Sequence, residues 1–319
     1  HAQRVWTVVR GVPEQVAVTG TAIPGGGGQR FSGFTGLFGG VDSRTAFIGE
    51  GNGSWAHHDM FHGVYVVRGN GASVRIVDTT DRLPPLRAGG APRKRFRLIS
   101  GPVLVPSTGA GTVIFSGADA WDGSGTCGIY AADAGGAGNL RSLVDSEAGT
   151  PRLHNISGPA VALSYDDAAP PPILFAARAD VGPTPRRLAS RRGGTSLGIY
   201  ALLGSHSGAG YAPPCRLVGI ASAVPDAVPA QRFAAFGSVA AGGRRAAFVG
   251  EGDAGVLGVY TLEIAENIAE IGVGQACPGG TRVRRVADTS TPTRHVSLRR
   301  PARGAGAGAH RGFFTSFGG

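Results

Sequence analysis

Histidine and aspartate side chains that could ligate a transition metal lie together in the segment HHDMFH, residues 57–62. The imidazole and carboxylate groups of His57, His58, Asp59 and His62 are ligand types that zinc and copper accept. The segment occurs once in the chain and is bounded by glycines. We interpret it as a solvated loop, with a metal site as the alternative.

Carboxylates in two glycine-rich segments could hold calcium through their oxygens and through turn carbonyls. These segments are GADAWDGSG (117–125), which contains Asp119 and Asp122, and GEGDAG (250–255). Neither has the ligand spacing of a known calcium loop, and Asp and Gly also form ordinary turns. We therefore expect no cofactor, with calcium at Asp119 and Asp122 as the alternative.

Three aspartates, Asp78, Asp145 and Asp288, recur at the ends of similar segments. Catalytic carboxylates seldom recur in every repeat, so we interpret them as turn caps that accept hydrogen bonds from nearby backbone N–H groups. The chain contains no P-loop. The sequence thus indicates no catalytic residue, and we expect a protein that is not an enzyme.

The elements that carry these residues form an internal repeat. One pattern, a glycine, an aliphatic residue and a tyrosine at the start of a strand, occurs in HGVYVVRG (62–69), CGIYAAD (127–133), LGIYALL (197–203) and LGVYTLE (257–263). Its tyrosines lie 65, 70 and 60 residues apart. A strand containing phenylalanine precedes each copy, a strand that tends to end in aspartate follows it, and one further apolar segment precedes the phenylalanine strand.

The repeating unit therefore has four strands, A, B, C and D. The copies span approximately 31–84, 96–151, 154–225 and 232–292. Four short strands per turn-rich repeat are typical of a β-propeller blade. We predict an all-β propeller of four-stranded blades that forms a single domain over 1–319, with a row of small β-sandwiches as the alternative.

The two ends of the chain together resemble one more blade. RVWTVVRG (4–11) aligns with a C strand, with Trp6 in the tyrosine position, and QVAVTGTAIP (15–24) aligns with a D strand. RGFFTSFGG (311–319) resembles an A strand. We predict about five blades, the last shared between residues 1–24 and 311–319.

The assembly strand carries Phe313, Phe314 and Phe317, and the acceptor strands carry Trp6, Val8, Val16 and Val18. Residues 293–310 are predicted to be a flexible tether. Because the 21 residues from Pro292 to Phe313 can extend over roughly 70 Å, the last strand can complete its own blade or that of a neighbouring subunit.

The charge suggests the class of partner. The formal net charge is +10, and Lys94 is the only lysine. A basic surface favours polyanions, so acidic polysaccharide is a candidate partner. The chain lacks the motifs of nucleic-acid-binding proteins, and it has no apolar run of the length that spans a membrane, so we expect neither nucleic acid nor a membrane span.

The segments GVYTLE (258–263), VRRVADTSTP (283–292) and FFTSFG (313–318) also resemble the repeats of secreted or surface-anchored bacterial proteins. In that family F-x-S-F is followed by an aliphatic-x-F strand, by G-I-Y and by V-A-D-T-x-T-x-x-P. The resemblance covers nearly the whole chain. It implies an extracellular or cell-surface, propeller-like repeat protein, and it implies no reaction.

Cysteine and asparagine residues bear on the compartment. Cys215 and Cys277 hold equivalent positions between the C and D strands of adjacent repeats, so a disulfide between them is one alternative and would suit an oxidising compartment. Cys127 is then left over, and three free thiols are the other alternative. The sequons at Asn52 and Asn155 are candidate glycosylation sites.

From these features we expect a non-enzymatic extracellular structural protein that self-assembles, as a fibre if the C-terminal strand is donated to a neighbour. A monomeric propeller that binds glycan or protein ligands is the first alternative. A carbohydrate-active enzyme is the second, because propeller enzymes draw their acids from scattered blades.

Overall fold

The structure is a computed structural model, and it describes the strands and many of their connections. The described residues are 2–9, 12–41, 44–51, 61–67, 71–85, 93–105, 111–120, 125–136, 138–147, 153–162, 171–180, 195–204, 211–243, 245–264, 277 and 282–289. They form nineteen β-strands and no helix. None of them belongs to a helix long and apolar enough to cross a membrane.

The strands form five antiparallel sheets, which we number in chain order. Sheet I contains β1 (Arg4–Val9) and β2 (Val12–Val18). Sheet II contains β3 (Phe31–Val41), β4 (Arg44–Gly51), β5 (His62–Val67) and β6 (Ser73–Asp78). Sheet III contains β7 (Leu98–Val105), β8 (Thr112–Ala118), β9 (Cys127–Asp133) and β10 (Arg141–Asp145).

The last two sheets follow the same plan. Sheet IV contains β11 (Leu153–His154), β12 (Ala160–Val161), β13 (Ile173–Asp180), β14 (Thr195–Leu202) and β15 (Cys215–Gly219). Sheet V contains β16 (Phe233–Gly242), β17 (Arg245–Gly252), β18 (Leu257–Glu263) and β19 (Val283–Asp288). In sheets II, III and V the four strands pair in chain order, which confirms the predicted all-β class with several four-stranded antiparallel sheets.

Sheet IV differs from the prediction in its first strand. The segment predicted as one A strand forms two short strands, β11 and β12, which both pair with β13. Asn155 between them has a φ of 48°, in the left-handed region, and Pro159 has no N–H to donate to a ladder. These two residues interrupt the strand that the apolar pattern alone suggested.

A β-bulge recurs at the same register position in every sheet. It lies between the aliphatic residue and the tyrosine of the C strand, at Val64/Tyr65 in sheet II and at Val259/Tyr260 in sheet V. In sheet I it lies between Val5 and Trp6. Trp6 therefore occupies the register position of the tyrosines, as the sequence alignment of β1 with the C strands requires.

Each sheet has two different apolar faces because side chains alternate along a strand. The tyrosine face carries the C-strand tyrosine and the B-strand phenylalanine. The aliphatic face carries the C-strand residue just before the tyrosine and its D-strand neighbours. The period-2 alternation of the sequence thus produces a sheet with two faces to bury.

Four hydrophobic cores join successive sheets in the same orientation. Between sheets I and II, Val5 and Ala17 pack with Phe47 and Tyr65. The cores between sheets II and III, III and IV, and IV and V likewise combine the aliphatic face of the earlier sheet with the tyrosine face of the later one. No core formed by the described residues joins sheet I to sheet V.

Candidate functional site

The aromatic residues of the repeat form a buried cluster in each complete sheet. In sheet II the ring centroids of Phe31 and Tyr65 lie 4.9 Å apart, edge to face, and those of Phe47 and Tyr65 lie 5.7 Å apart, stacked. Sheet V repeats this arrangement with Phe233, Phe248 and Tyr260. These geometries are those that aromatic pairs prefer, so the aromatic residues of the motif serve the core.

Glycines of the motif make room for these rings. A Cβ atom on Gly49 would lie 2.3 Å from Cε1 of Phe31, and one on Gly63 would lie 3.1 Å from the Tyr65 hydroxyl. Gly117 and Gly250 meet the equivalent phenylalanine rings in sheets III and V. The glycines before and after the B–C connection are therefore packing residues, and the motif needs no ligand to explain them.

In sheet IV a smaller residue stands in the phenylalanine position and a larger residue stands in the glycine position. Its B strand has Ala177 where the other sheets have glycine, and Leu153 occupies the register position of Phe31. The smaller leucine leaves space for the additional methyl group of the alanine. Phe175 and Tyr200 remain stacked, with centroids 5.9 Å apart.

Two of the three D-strand aspartates, Asp78 and Asp145, cap turns as predicted. Asp78 Oδ1 accepts a hydrogen bond from the Thr80 N–H at 2.7 Å. Asp145 Oδ1 accepts one from the Glu147 N–H at 2.9 Å. Both aspartates are buried, so the hydrogen bonds from the backbone offset part of the cost of burying a carboxylate.

Each of three aspartates also binds an arginine, which the sequence analysis missed. Asp78 pairs with Arg75, and Asp288 pairs with Arg285 at 2.6 Å, both from the same D strand. The signal was available, because these arginines stand three residues before the aspartate in both copies. In sheet III, Ser142 occupies that register position, opposite Tyr130.

In sheet III an arginine from outside the D strand binds the aspartate instead. Arg93, from the connection before β7, binds both oxygens of Asp145 at 2.6 and 3.1 Å. The Tyr130 hydroxyl donates to Asp145 Oδ2 at 3.3 Å. Burial, together with the Asp145 charge, raises the pKa of the Tyr130 phenol. Buried and fully paired, this carboxylate has the surroundings of a structural group.

Two of the candidate metal ligands, His62 and Asp119, lie among the described residues. His62 is buried, and burial lowers the pKa of its imidazole. Asp119 is almost fully buried, with Oδ2 3.3 Å from Nζ of Lys94. His57, His58, Asp59 and Asp122 lie outside the described residues. Within the described part of the chain no three His, Cys, Asp or Glu side chains form a group that could hold a metal ion.

The cysteines form one disulfide. Cys215 and Cys277 are bonded, with their Cα atoms 5.1 Å apart. The Cys277 N–H also donates to the Arg216 carbonyl at 3.0 Å, so the connection before β19 reaches back to sheet IV. Cys127 is a buried free cysteine, and burial raises the pKa of its thiol.

Of the two sequons, only the second lies among the described residues. Asn155 is exposed. The hydroxyl of Ser157 in the same sequon accepts a hydrogen bond from the Ala176 N–H at 2.9 Å. Asn52 lies outside the described residues.

Sheet I is the place where the repeat is incomplete. β1 pairs with β2, and among the described strands no other strand pairs with it, whereas the equivalent β5, β9, β14 and β18 are each paired on both sides. Trp6 on β1 is 50% exposed, although the tyrosines in its register position are at most 1% exposed. Val16 and Val18 on β2 are half-buried. Among the described residues, therefore, nothing pairs with the second edge of β1, and the aromatic face of sheet I is open.

The strand predicted to fill this place cannot be located. Phe313, Phe314 and Phe317 lie outside the described residues, as does the whole segment 290–319. Val8 lies on β1, whose position the structure gives.

Neither a protein-family model nor a curated protein matches this chain.

Proposed function

We propose that the protein is a non-enzymatic extracellular structural protein that assembles with copies of itself. The observation that supports this most directly is sheet I, in which the described residues form two strands where sheets II to V have four or five. An unpaired strand edge is a template for another strand. Addition of a strand to such an edge is a common mode of protein recognition.

The strand proposed to fill the edge of β1 is residues 311–319 of a neighbouring copy. In sheets I to IV each D strand is followed along the chain by the A strand of the next sheet. Phe313, Phe314 and Phe317 follow the D strand β19 in the same order. Donation to the next copy would add a third strand to sheet I of that copy. The donor's own sheet I would stay open to another donor.

Repetition of this step links copies head to tail. Because donor and acceptor are different surfaces, the contact is heterologous and produces a filament unless the rotation closes a ring. Donation within one copy would complete a five-bladed propeller. We propose the intermolecular form as the functional one, since it uses the length of the segment between Pro292 and Phe313.

The disulfide, the sequons and the net charge support the proposed compartment and the second partner. The Cys215–Cys277 disulfide suits an oxidising compartment, and two sequons suit a secreted chain. The formal net charge of +10 favours acidic polysaccharide as a partner of the assembly. These features support an extracellular matrix or wall component.

The test is light scattering and electron microscopy of the full chain and of a chain that lacks residues 311–319. A full-length variant with Phe313, Phe314 and Phe317 replaced by serine controls for chain length. We expect filaments or large oligomers from the full chain and single particles from both variants. Single ring-shaped particles from the full chain at all concentrations would refute self-assembly and favour the glycan- or protein-binding alternative.

A further inference from the structure

Sheet V, the last sheet in chain order, has an aliphatic face that no described residue of another sheet covers. We infer that this terminal aliphatic face is a docking surface for the aromatic face of sheet I, around Trp6, of a second copy of this chain. The inference rests on the proposed self-assembly and names the two surfaces that stack. The terminal aliphatic face consists of Val249, Leu257, Val259, Thr261, Val286 and Ala287.

Exposure distinguishes this face from its four counterparts. Val259 is 42% exposed, whereas the residues in its register position, Val5, Val64, Ile129 and Ile199, are 0% exposed. Val286 is 61% exposed, whereas the equivalent bulge residues Ile76 and Leu217 are 3% and 7% exposed. In every other sheet the following sheet covers these positions, so a cover of the same kind fits sheet V.

The rim of the face is charged. Glu251 pairs with Leu257 and Arg284 pairs with Thr261, and both charged residues are exposed. In sheet III, Arg141 holds the position of Arg284, opposite Ala131. An apolar centre with a charged rim is the usual composition of a protein interface.

The complementary surface is present on the same chain, at sheet I. The four internal cores each combine an aliphatic face with the tyrosine face of the next sheet. Trp6 stands in the tyrosine position of sheet I, and it is 50% exposed. A half-exposed tryptophan is a frequent anchor of protein interfaces.

The two open faces do not cover each other within one molecule, since both Trp6 and Val259 are exposed in the same structure. A second copy can cover the terminal aliphatic face, because its sheet I would continue the order of the internal cores. The stacking also places the neighbour's sheet I where the strand after β19 would add to it. Face stacking and strand donation thus join the same two sheets.

The test uses one variant for each end. The double variant Val259→Glu and Val286→Glu places charges in the centre of the terminal aliphatic face, and Trp6→Glu places one on the face of sheet I. Val228→Glu is the matched control, because Val228 is 94% exposed and lies in the connection between β15 and β16. Thermal unfolding checks that each variant is folded. If the double variant does not fold, the single variant V286E takes its place.

Sedimentation velocity then measures assembly of the full chain. We expect each end variant to weaken self-association by about 100-fold or more, because each places charge in the centre of a face that the contact would bury, and the control to assemble as the wild type does. Because each end variant keeps the opposite face intact, an equimolar mixture of the two should form a 1:1 dimer that grows no further.

Each of three results would overturn the inference. If the wild type assembles and residues 311–319 are needed, but the V259E/V286E variant assembles as the wild type does, the stacking fails and the proposed function stands. If the end variants do not assemble and their mixture forms no dimer, the two faces are not partners of each other. A wild type that is monomeric at all concentrations refutes both the inference and the proposed function.

Discussion

Replacing Gly49 with alanine tests whether the glycines of the repeat are packing residues. The new Cβ atom would lie 2.3 Å from Cε1 and 2.7 Å from Cδ1 of Phe31, whereas carbon atoms in contact lie about 3.5–4.0 Å apart. Phe31 is 3% exposed, so its ring has no free space to enter. The substitution must displace the ring by about 1 Å or more, in a core packed like a crystal.

The size of the effect follows from overpacking. Small-to-large changes in a packed core cost about 1–3 kcal/mol, so we expect Gly49→Ala to lower the free energy of unfolding by about 2 kcal/mol. Phe31→Leu alone leaves a cavity and also costs about 2 kcal/mol. The double variant reproduces the pair found in sheet IV, Leu153 with Ala177, so its cost should fall about 1–2 kcal/mol below the sum of the two.

Guanidinium chloride unfolding, followed by circular dichroism, measures the cycle. The slope of the free energy against denaturant must stay constant for the comparison to hold. Gly242→Ala is the control, since no atom lies within 4 Å of its added Cβ, and we expect a change within about 0.5 kcal/mol. Strict additivity of the Gly49 and Phe31 substitutions would refute the packing explanation.

Two further predictions concern the polar groups. Burial is the main cause that raises the pKa of four phenols above the ordinary value of 10.0, those of Tyr65, Tyr130, Tyr200 and Tyr260. Because these tyrosines ionise first in the unfolded chain, the free energy of unfolding should be unchanged below pH 10 and should fall above it. Absorbance at 295 nm should show no phenolate from them before cooperative unfolding. Arg93→Met should cost about 3 kcal/mol of unfolding free energy, because it leaves the buried Asp145 carboxylate without its cation. Arg245→Met, which breaks an exposed 3.9 Å pair with Glu263, should cost less than about 1 kcal/mol; equal losses for the two arginines in thermal or chemical unfolding would contradict the buried-pair reasoning.

The repeat could be predicted from the chain alone because it is written in local patterns. Tyrosines such as Tyr65 and Tyr130 recur at similar intervals with a glycine two residues before each. A strand buries every second residue on one face, so the same pattern indicates the same strand in each copy. The pairing order of β3 to β6 follows from short antiparallel connections, and Trp6 could be placed from its sequence neighbours.

Two features of the sites needed the tertiary structure, since they depend on residues that are distant in the chain. Arg93 reaches Asp145 across 52 positions, from a connection that no strand pattern describes. The Cys215–Cys277 bond joins equivalent points of adjacent sheets, which pattern reasoning suggested could be too far apart. It forms because the Cys277 segment reaches the backbone of Arg216.

The faces that remain open were also a matter of tertiary structure. Three residues occupy the same place in the repeat: Val64, Ile129 and Val259. The sequence around them gives no reason to expect different burial. Only the stacking order shows that Val64 and Ile129 are covered by a following sheet while Val259 is 42% exposed. Local alternation along the chain specifies the strands of each sheet, whereas the packing of sheet on sheet decides which apolar surfaces stay exposed.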